Sequence, residues 1–132
     1  MIRQRFREER SGIGIVLRPV AEVILENNGF AVEIPMYIDS GADVSMIPFR
    51  FGRALGFKQE EGDTIQEIKG VSGIGVPYVL KKVILVLNGK KLEVRIAWAL
   101  VEEVPMLMGR MDIFDKFRVI FDERNRLIDF EE

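Results

Sequence analysis

The chain has 132 residues, a net charge of −2 and an apolar share of 48%, which predicts one folded domain with a sizeable core. It contains neither cysteine nor histidine. Disulfides, thiolate metal sites and Ser-His or Cys-His catalysis are therefore excluded. Any catalysis near neutral pH depends on carboxylates, Lys, Tyr or a carboxylate-bound metal.

The charge pattern and the hydropathy bear on partners and location. Acids and bases are mixed along the chain, without the basic field that nucleic-acid binding requires. No apolar run approaches the ~20 residues that span a bilayer, and the first residues lack a signal-peptide core. We therefore expect a cytoplasmic protein that binds neither nucleic acid nor membrane. Residues 1–18, which open with the mixed-charge stretch MIRQRFREER, are predicted to be an N-terminal arm or strand extension, and residues 19–132 a single domain.

Strand patterns dominate the first half of the chain. Ile13–Leu17 is apolar and β-branched. Val20–Ile38 predicts a hairpin, because two apolar runs flank the turn signal Asn27-Asn28-Gly29. Pro48 is predicted to open a short helix that stops at Gly56. The apolar contacts expected for this helix are Phe49, Ala54 and Leu55.

The second half continues in the same way. A strand over Thr64–Lys69 precedes the glycine-rich GVSGIGVP and a long β run from Tyr78. Asn88-Gly89 marks a second hairpin. Three further elements are predicted: a short strand in MLMGR, a short helix in MDIFDKF and a final hairpin in RVIFDERNRLIDF. Together these elements predict a mostly-β, closed, barrel-like domain with one or two short helices.

Asp39-Ser40-Gly41 follows directly after a strand-like run. A carboxylate that leaves the end of a buried strand is partly shielded from water, which suits it to acid/base chemistry. Gly41 lets the chain turn sharply, and the Ser40 hydroxyl can hold the turn. An isolated Asp-Ser-Gly would be interpreted as an Asx-type turn.

The wider context, YIDSGADVSMIP, resembles the retropepsin-like aspartic proteases, single-domain relatives of pepsin. The hydrophobic pair before Asp39-Ser40-Gly41-Ala42 matches that family's signature. The resemblance implies an acid-protease barrel in which Asp39 is catalytic and its neighbours support the catalytic loop. The extension of the chain past the last helix as a hairpin is more like the small prokaryotic members.

Two other segments share the resemblance. IKGVSGIGVPY is similar to the family's flap, and implies that Gly73, Ile74 and Gly75 cover the substrate. PMLMGRMDIF is similar to a segment that passes behind the catalytic loop. Arg110 stands where retroviral members carry an arginine that pairs with an acid of that loop, here Asp43. A bidentate Arg110–Asp43 pair and two solvated side chains are both compatible with the sequence.

Peptide hydrolysis by carboxylates requires a pair that shares one proton. The chain holds no second Asp-Ser/Thr-Gly, so the resemblance implies a homodimer in which each subunit supplies Asp39. The expected function is an aspartic endopeptidase that cleaves extended peptides at acidic pH without a metal or organic cofactor. Val71, Ile74, Val76, Met106 and Met108 are the candidates for lining its substrate pocket.

Two alternatives remain open at this point. The same fold could serve as a non-catalytic module for dimerisation or peptide binding. A carboxylate–metal hydrolase could instead use Asp39, Asp43 and the acidic segment 60–63, with a hard cation.

Overall fold

The computed structural model describes residues 1–69 and 75–132. The strands are, in chain order, β1 (Ile2–Arg5), β2 (Arg7–Ser11), β3 (Gly14–Arg18), β4 (Val20–Asn27), β5 (Phe30–Ile38), β6 (Ser45–Ile47), β7 (Gln66–Lys69), β8 (Gly75–Leu87), β9 (Lys90–Ala99), β10 (Leu107–Met108), β11 (Arg118–Asp122) and β12 (Leu127–Glu131). One α-helix, α1, spans Phe49–Ala54, and the predicted helix in MDIFDKF is a single 3₁₀ turn over Phe114–Lys116. Within these described ranges, no helix is long and apolar enough to cross a bilayer.

Six strands close into a barrel. Their order is β4-β5-β10-β6-β9-β8, and β8 returns to pair with β4. β10 runs parallel to β5 and antiparallel to β6, while β7 adds to the outer edge of β8. The predicted mostly-β closed barrel with one or two short helices is confirmed.

The two predicted central hairpins are present, and their turns explain their register. Asn28 and Gly29 have φ values of 46° and 84°, and Asn88 and Gly89 have 48° and 84°. Positive φ at both central residues gives a turn whose twist matches that of the flanking strands, and Asn-Gly adopts it at low cost. The pairs Asn27–Phe30 and Leu87–Lys90 close the two turns.

Helix α1 packs on Trp98. The indole N–H donates to the Phe49 carbonyl at 3.0 Å, and the two rings stack with centroids 5.2 Å apart. A Cβ at Gly52 would overlap the indole ring, so a glycine allows the helix to lie this close. Leu55 is buried, but the prediction for Ala54 was wrong, because Gly52 faces the core and Ala54 is exposed.

The predicted N-terminal extension contains two different structures. β1 pairs antiparallel with β12, which also pairs with β11, so the first residues and the C-terminal strand share a small three-stranded sheet. Arg3 and Asp129 form an ion pair across it at 2.7 Å. β2 and β3 form a separate two-stranded hairpin.

Asp112 ties β9 to the loop that follows β10. Its carboxylate accepts hydrogen bonds from the Arg95 backbone N–H at 2.9 Å and from the guanidinium at 2.8 and 2.9 Å. The side-chain hydrogen bond from Arg95 is the main reason why the pKa of Asp112 falls from 3.8 to about 2.

This ion pair predicts a defined pH dependence of stability. Since the folded pKa of Asp112 lies below the unfolded value of 3.8, its contribution is complete above about pH 4 and disappears as the pH falls toward 2. We expect Asp112→Asn to destabilise the fold at pH 7 by about 1 kcal/mol, a value reduced for solvent screening. Thermal denaturation from pH 2 to 7 measures this, with the exposed Glu61→Gln as control. A destabilisation that persists unchanged at pH 2 would contradict the ionic role.

Candidate active site

Asp39 directly follows the last residue of β5, Ile38. Its side chain is half-buried, and Oδ1 accepts a hydrogen bond from the Gly41 N–H at 2.8 Å. The Ala42 N–H donates to the Asp39 carbonyl at 3.2 Å, which closes the turn. A Cβ at Gly41 would lie only 3.2 Å from Oδ1, so the glycine leaves the carboxylate uncrowded. The turn therefore presents one fixed carboxylate.

The side chain of Ser40 lies at the surface. It is exposed, and its hydroxyl forms no hydrogen bond with any residue in the described ranges. The turn is held by backbone groups and by the Asp39 carboxylate, so the Ser40 hydroxyl is available to another molecule.

Backbone hydrogen bonds join the loop 39–43 to the segment 108–111. The Asp39 N–H donates to the Met108 carbonyl at 3.0 Å, which extends the parallel pairing of β5 and β10. Further along, the Arg110 N–H donates to the Ala42 carbonyl and the Met111 N–H to the Asp43 carbonyl, both at 2.9 Å. Three backbone contacts thus fix the loop that carries Asp39.

Gly109 makes this approach possible. A Cβ at this position would lie 2.5 Å from the Val44 carbonyl carbon and oxygen, which are backbone atoms and cannot rotate away. The Gly109 N–H donates to the Ser45 hydroxyl at 2.9 Å, and Ser45 is fully buried. Ser45 supplies the acceptor that this buried N–H would otherwise lack.

The structural role of Ser45 was not predicted from the sequence. The available signal was a hydroxyl within the apolar run Val44-Ser45-Met46-Ile47, since a buried hydroxyl requires a partner. The identity of the partner could not be predicted, because Gly109 is 64 residues away in the chain.

Arg110 and Asp43 are paired, through one guanidinium nitrogen and one carboxylate oxygen. Of the two alternatives left open by the sequence, the pair is present, but it has a single contact and not the bidentate geometry. Their side chains are 56% and 84% exposed, and exposed pairs of this kind contribute about 0–1 kcal/mol. The backbone hydrogen bonds and the Ser45 contact therefore hold the loop more firmly than this ion pair does.

The predicted flap lies only partly within the described residues. Gly73 and Ile74 fall outside them, as does Val71. Gly75 begins β8 and pairs with Lys69, so β7 and the start of β8 form the two arms of a hairpin. Val76 and Tyr78 of this hairpin face the same cavity as the loop that follows Asp39.

An apolar cavity of about 450 Å³ adjoins the loop that follows Asp39. Its wall is mainly apolar, with two acids, Asp43 and Glu103. The other residues that line it are Gly41, Ala42, Val44, Met46, Ile68, Val76, Tyr78, Val104, Pro105 and Leu107. Of the predicted lining residues Val76 is present, whereas Met108 is fully buried in the main core and Met106 packs against that core.

The acids required by the carboxylate–metal alternative are not brought together. Among the described residues, no three acids are close enough to hold a metal ion. Asp63 instead accepts a hydrogen bond from the Glu60 N–H at 2.7 Å and one from Lys81 Nζ at 3.1 Å. These two contacts, the first above all, lower the pKa of Asp63, so this acid belongs to a stable turn.

The similarity of this chain to known proteins lies in its fold. No family model matches the sequence, and no curated protein matches it. Among solved structures, the EIAV protease complexed with the inhibitor HBY-793 superposes with a TM-score of 0.57 at 22% identity. The match covers 75% of this chain and 86% of that one. The chain has a retropepsin-like fold.

Within that fold, the Ser45–Gly109 contact predicts a stability effect. Ser45→Ala leaves the buried Gly109 N–H without an acceptor, which costs about 1–3 kcal/mol. We expect a lower urea midpoint with an unchanged slope. Ser40→Ala is the matched control, since the exposed Ser40 hydroxyl has no described partner. Equal midpoints for the two variants would contradict a structural role for Ser45.

Proposed function

We propose that the protein is an aspartic-type endopeptidase that acts as a homodimer. The observation that carries the proposal is the Asp39 carboxylate, which the Gly41 N–H fixes at 2.8 Å. The loop residues that follow it, from Gly41 to Val44, line an apolar cavity. The retropepsin-like fold supports it, and residues of the β7–β8 hairpin line the same cavity as the loop that follows Asp39.

The chemistry requires two carboxylates. One ionised Asp39 takes a proton from a water molecule, whose oxygen attacks the scissile carbonyl carbon. The protonated Asp39 of the partner subunit donates to the carbonyl oxygen, which forms a tetrahedral intermediate. Return of that proton from the intermediate, with proton transfer to the leaving nitrogen, breaks the C–N bond and regenerates one shared proton. No metal or organic cofactor takes part in these steps.

The remaining residues have supporting roles in this proposal. The exposed Ser40 hydroxyl bonds across the two-fold axis, and Gly41 and Ala42 leave room for the substrate backbone. The resemblance assigns Gly73, Ile74 and Gly75 to substrate contacts, with the Ile74 N–H as a donor, and of these three only Gly75 lies within the described residues. Arg110 and Asp43 support the loop through their exposed ion pair.

The cavity supports an extended peptide substrate with an apolar side chain. Val44, Met46, Val76 and Leu107 offer it apolar contacts, and burial of one such side chain stabilises a complex by about 1.5–3 kcal/mol. Because one carboxyl must stay protonated, we expect activity on the acidic side of neutral.

Asp39→Asn tests the catalytic role. An amide cannot accept the proton of the attacking water, so we expect cleavage of a diverse peptide pool to fall at least about 10³-fold. The fold should persist, because the amide oxygen still accepts from the Gly41 N–H. Mass spectrometry from pH 3 to 7 measures cleavage, with the exposed Asp115→Asn as the matched control and pepstatin as an inhibitor. Undiminished cleavage by Asp39→Asn would rule out the mechanism, and a wild type that binds peptides without cutting them would favour the non-catalytic module.

A second prediction concerns concentration. If each subunit supplies one Asp39, specific activity rises with protein concentration and follows the dimer fraction seen in sedimentation. Mixing wild type with excess Asp39→Asn should suppress activity, because mixed dimers hold only one competent carboxylate. Full activity in a sample that sediments only as monomer would contradict the proposal.

A further inference from the structure

The hairpin of β2 and β3 stands outside the barrel as a two-stranded ribbon. Two side-chain contacts attach it to the barrel. The Tyr37 hydroxyl donates to Glu9 at 2.7 Å, and Arg7 pairs with Glu22 at 3.0 Å. A two-stranded ribbon is at best marginally stable in water without a further packing surface.

The two faces of the ribbon differ. Residues opposite each other in an antiparallel pair share a face, and the pairs Glu9–Val16 and Arg7–Arg18 place their side chains on the barrel side. The pairs Arg10–Ile15 and Glu8–Leu17 lie on the other side. We call these four residues, Glu8, Arg10, Ile15 and Leu17, the outer face.

The outer face is exposed, with its apolar residues along β3 and its charged residues along β2. Ile15 is 68% exposed and Leu17 38%, and Ile13 at the tip is 90% exposed. Glu8 and Arg10 lie beside these residues on β2, and neither takes part in an ion pair within the described part of the chain. The face therefore offers an apolar contact and one charge of each sign.

The hairpin begins at the same end of the sheet as Asp39. The Ile38 N–H donates to the Pro19 carbonyl at 2.9 Å, which brings Arg18 level with Asp39. From there β3 extends over five residues, about 16 Å at 3.3 Å per residue. In a homodimer that brings two Asp39 carboxylates together, the Arg18 end of each hairpin therefore lies close to the two-fold axis.

We propose that the outer face of the hairpin binds the same face of a second copy of the chain. This contact rests on the homodimer of the proposed function. A two-fold axis requires a self-complementary surface, and the outer face meets that requirement. Ile15 of one subunit packs on Leu17 of the partner subunit, and Glu8 lies opposite Arg10 of the partner subunit.

Lysine substitutions test the apolar contact. Ile15→Lys and Leu17→Lys should each raise the dimer Kd at least about 10-fold, because each buries an ammonium group in the contact. Ile24→Lys is the matched control: Ile24 is 38% exposed, like Leu17, but lies on the barrel strand β4. Sedimentation velocity over a dilution series measures Kd, and circular dichroism checks that each variant is folded.

Charge reversal tests the pairing of equal faces. Glu8→Arg and Arg10→Glu should each weaken the dimer several-fold, since each puts like charges opposite one another. The double variant should restore a Kd close to that of the wild type. If the lysine variants weaken the dimer and the double reversal restores nothing, the outer face contacts a different surface and the pairing of equal faces is overturned.

Peptide cleavage on the same samples separates this contact from the proposed function. A wild type that dimerises but cleaves nothing at any pH contradicts the endopeptidase and leaves the hairpin contact in place. An active dimer whose Kd is unchanged by all four single substitutions overturns the hairpin contact alone. Variants that keep the dimer but raise KM would assign the outer face to substrate binding and would also overturn the hairpin contact. A wild type that remains monomeric overturns both the hairpin contact and the proposed homodimeric endopeptidase.

Discussion

The candidate site depends on one close backbone approach, between the loop that carries Asp39 and the segment that follows β10. Gly109 lies so near the Val44 carbonyl that any Cβ would collide with it. This proximity lets the Ser45 hydroxyl accept the Gly109 N–H and lets backbone groups of residues 39, 42 and 43 bond to residues 108, 110 and 111. Since these contacts are short-range and mostly backbone, side-chain rotation cannot release them. They hold a single carboxylate in one position at the end of a strand, which any chemistry at Asp39 requires.

The closed barrel makes that approach rigid. β10 is only two residues long, too short to be stable as a separate strand, but it is enclosed between β5 and β6. Because β8 returns to pair with β4, the barrel has no open edge at β4. Arg95 and Asp112 add an ionic tie between β9 and the loop after Gly109. Because the pKa of Asp112 is about 2, this tie stays charged at the acidic pH at which a shared-proton mechanism operates.

Much of this fold could be predicted because its signals are local. Asn28-Gly29 and Asn88-Gly89 specify their turns by backbone preference alone, and alternating apolar residues specify the strands beside them. The predictions that failed concern which side of an element a residue faces and which residues it contacts. Ala54 was expected in the core, but the six-residue helix instead turns Gly52 toward Trp98. Met108 was expected in the substrate pocket, but the parallel pairing with β5 directs it into the main core. Each outcome depends on an element distant in sequence, which no local pattern encodes.

The sequence by itself determined the chemistry that is available. Without cysteine or histidine, the carboxylate of Asp39 in Asp-Ser-Gly-Ala is the natural candidate group, and this motif occurs once in the sequence. Only the tertiary structure decided what holds that carboxylate. It assigned the main role to Gly109, Ser45 and the backbone and a small one to the exposed Arg110–Asp43 pair. It also turned the apolar stripe of the N-terminal hairpin away from its own barrel. The physical reason is that residue type fixes which bonds a group can form, whereas burial and proximity decide how much each bond contributes.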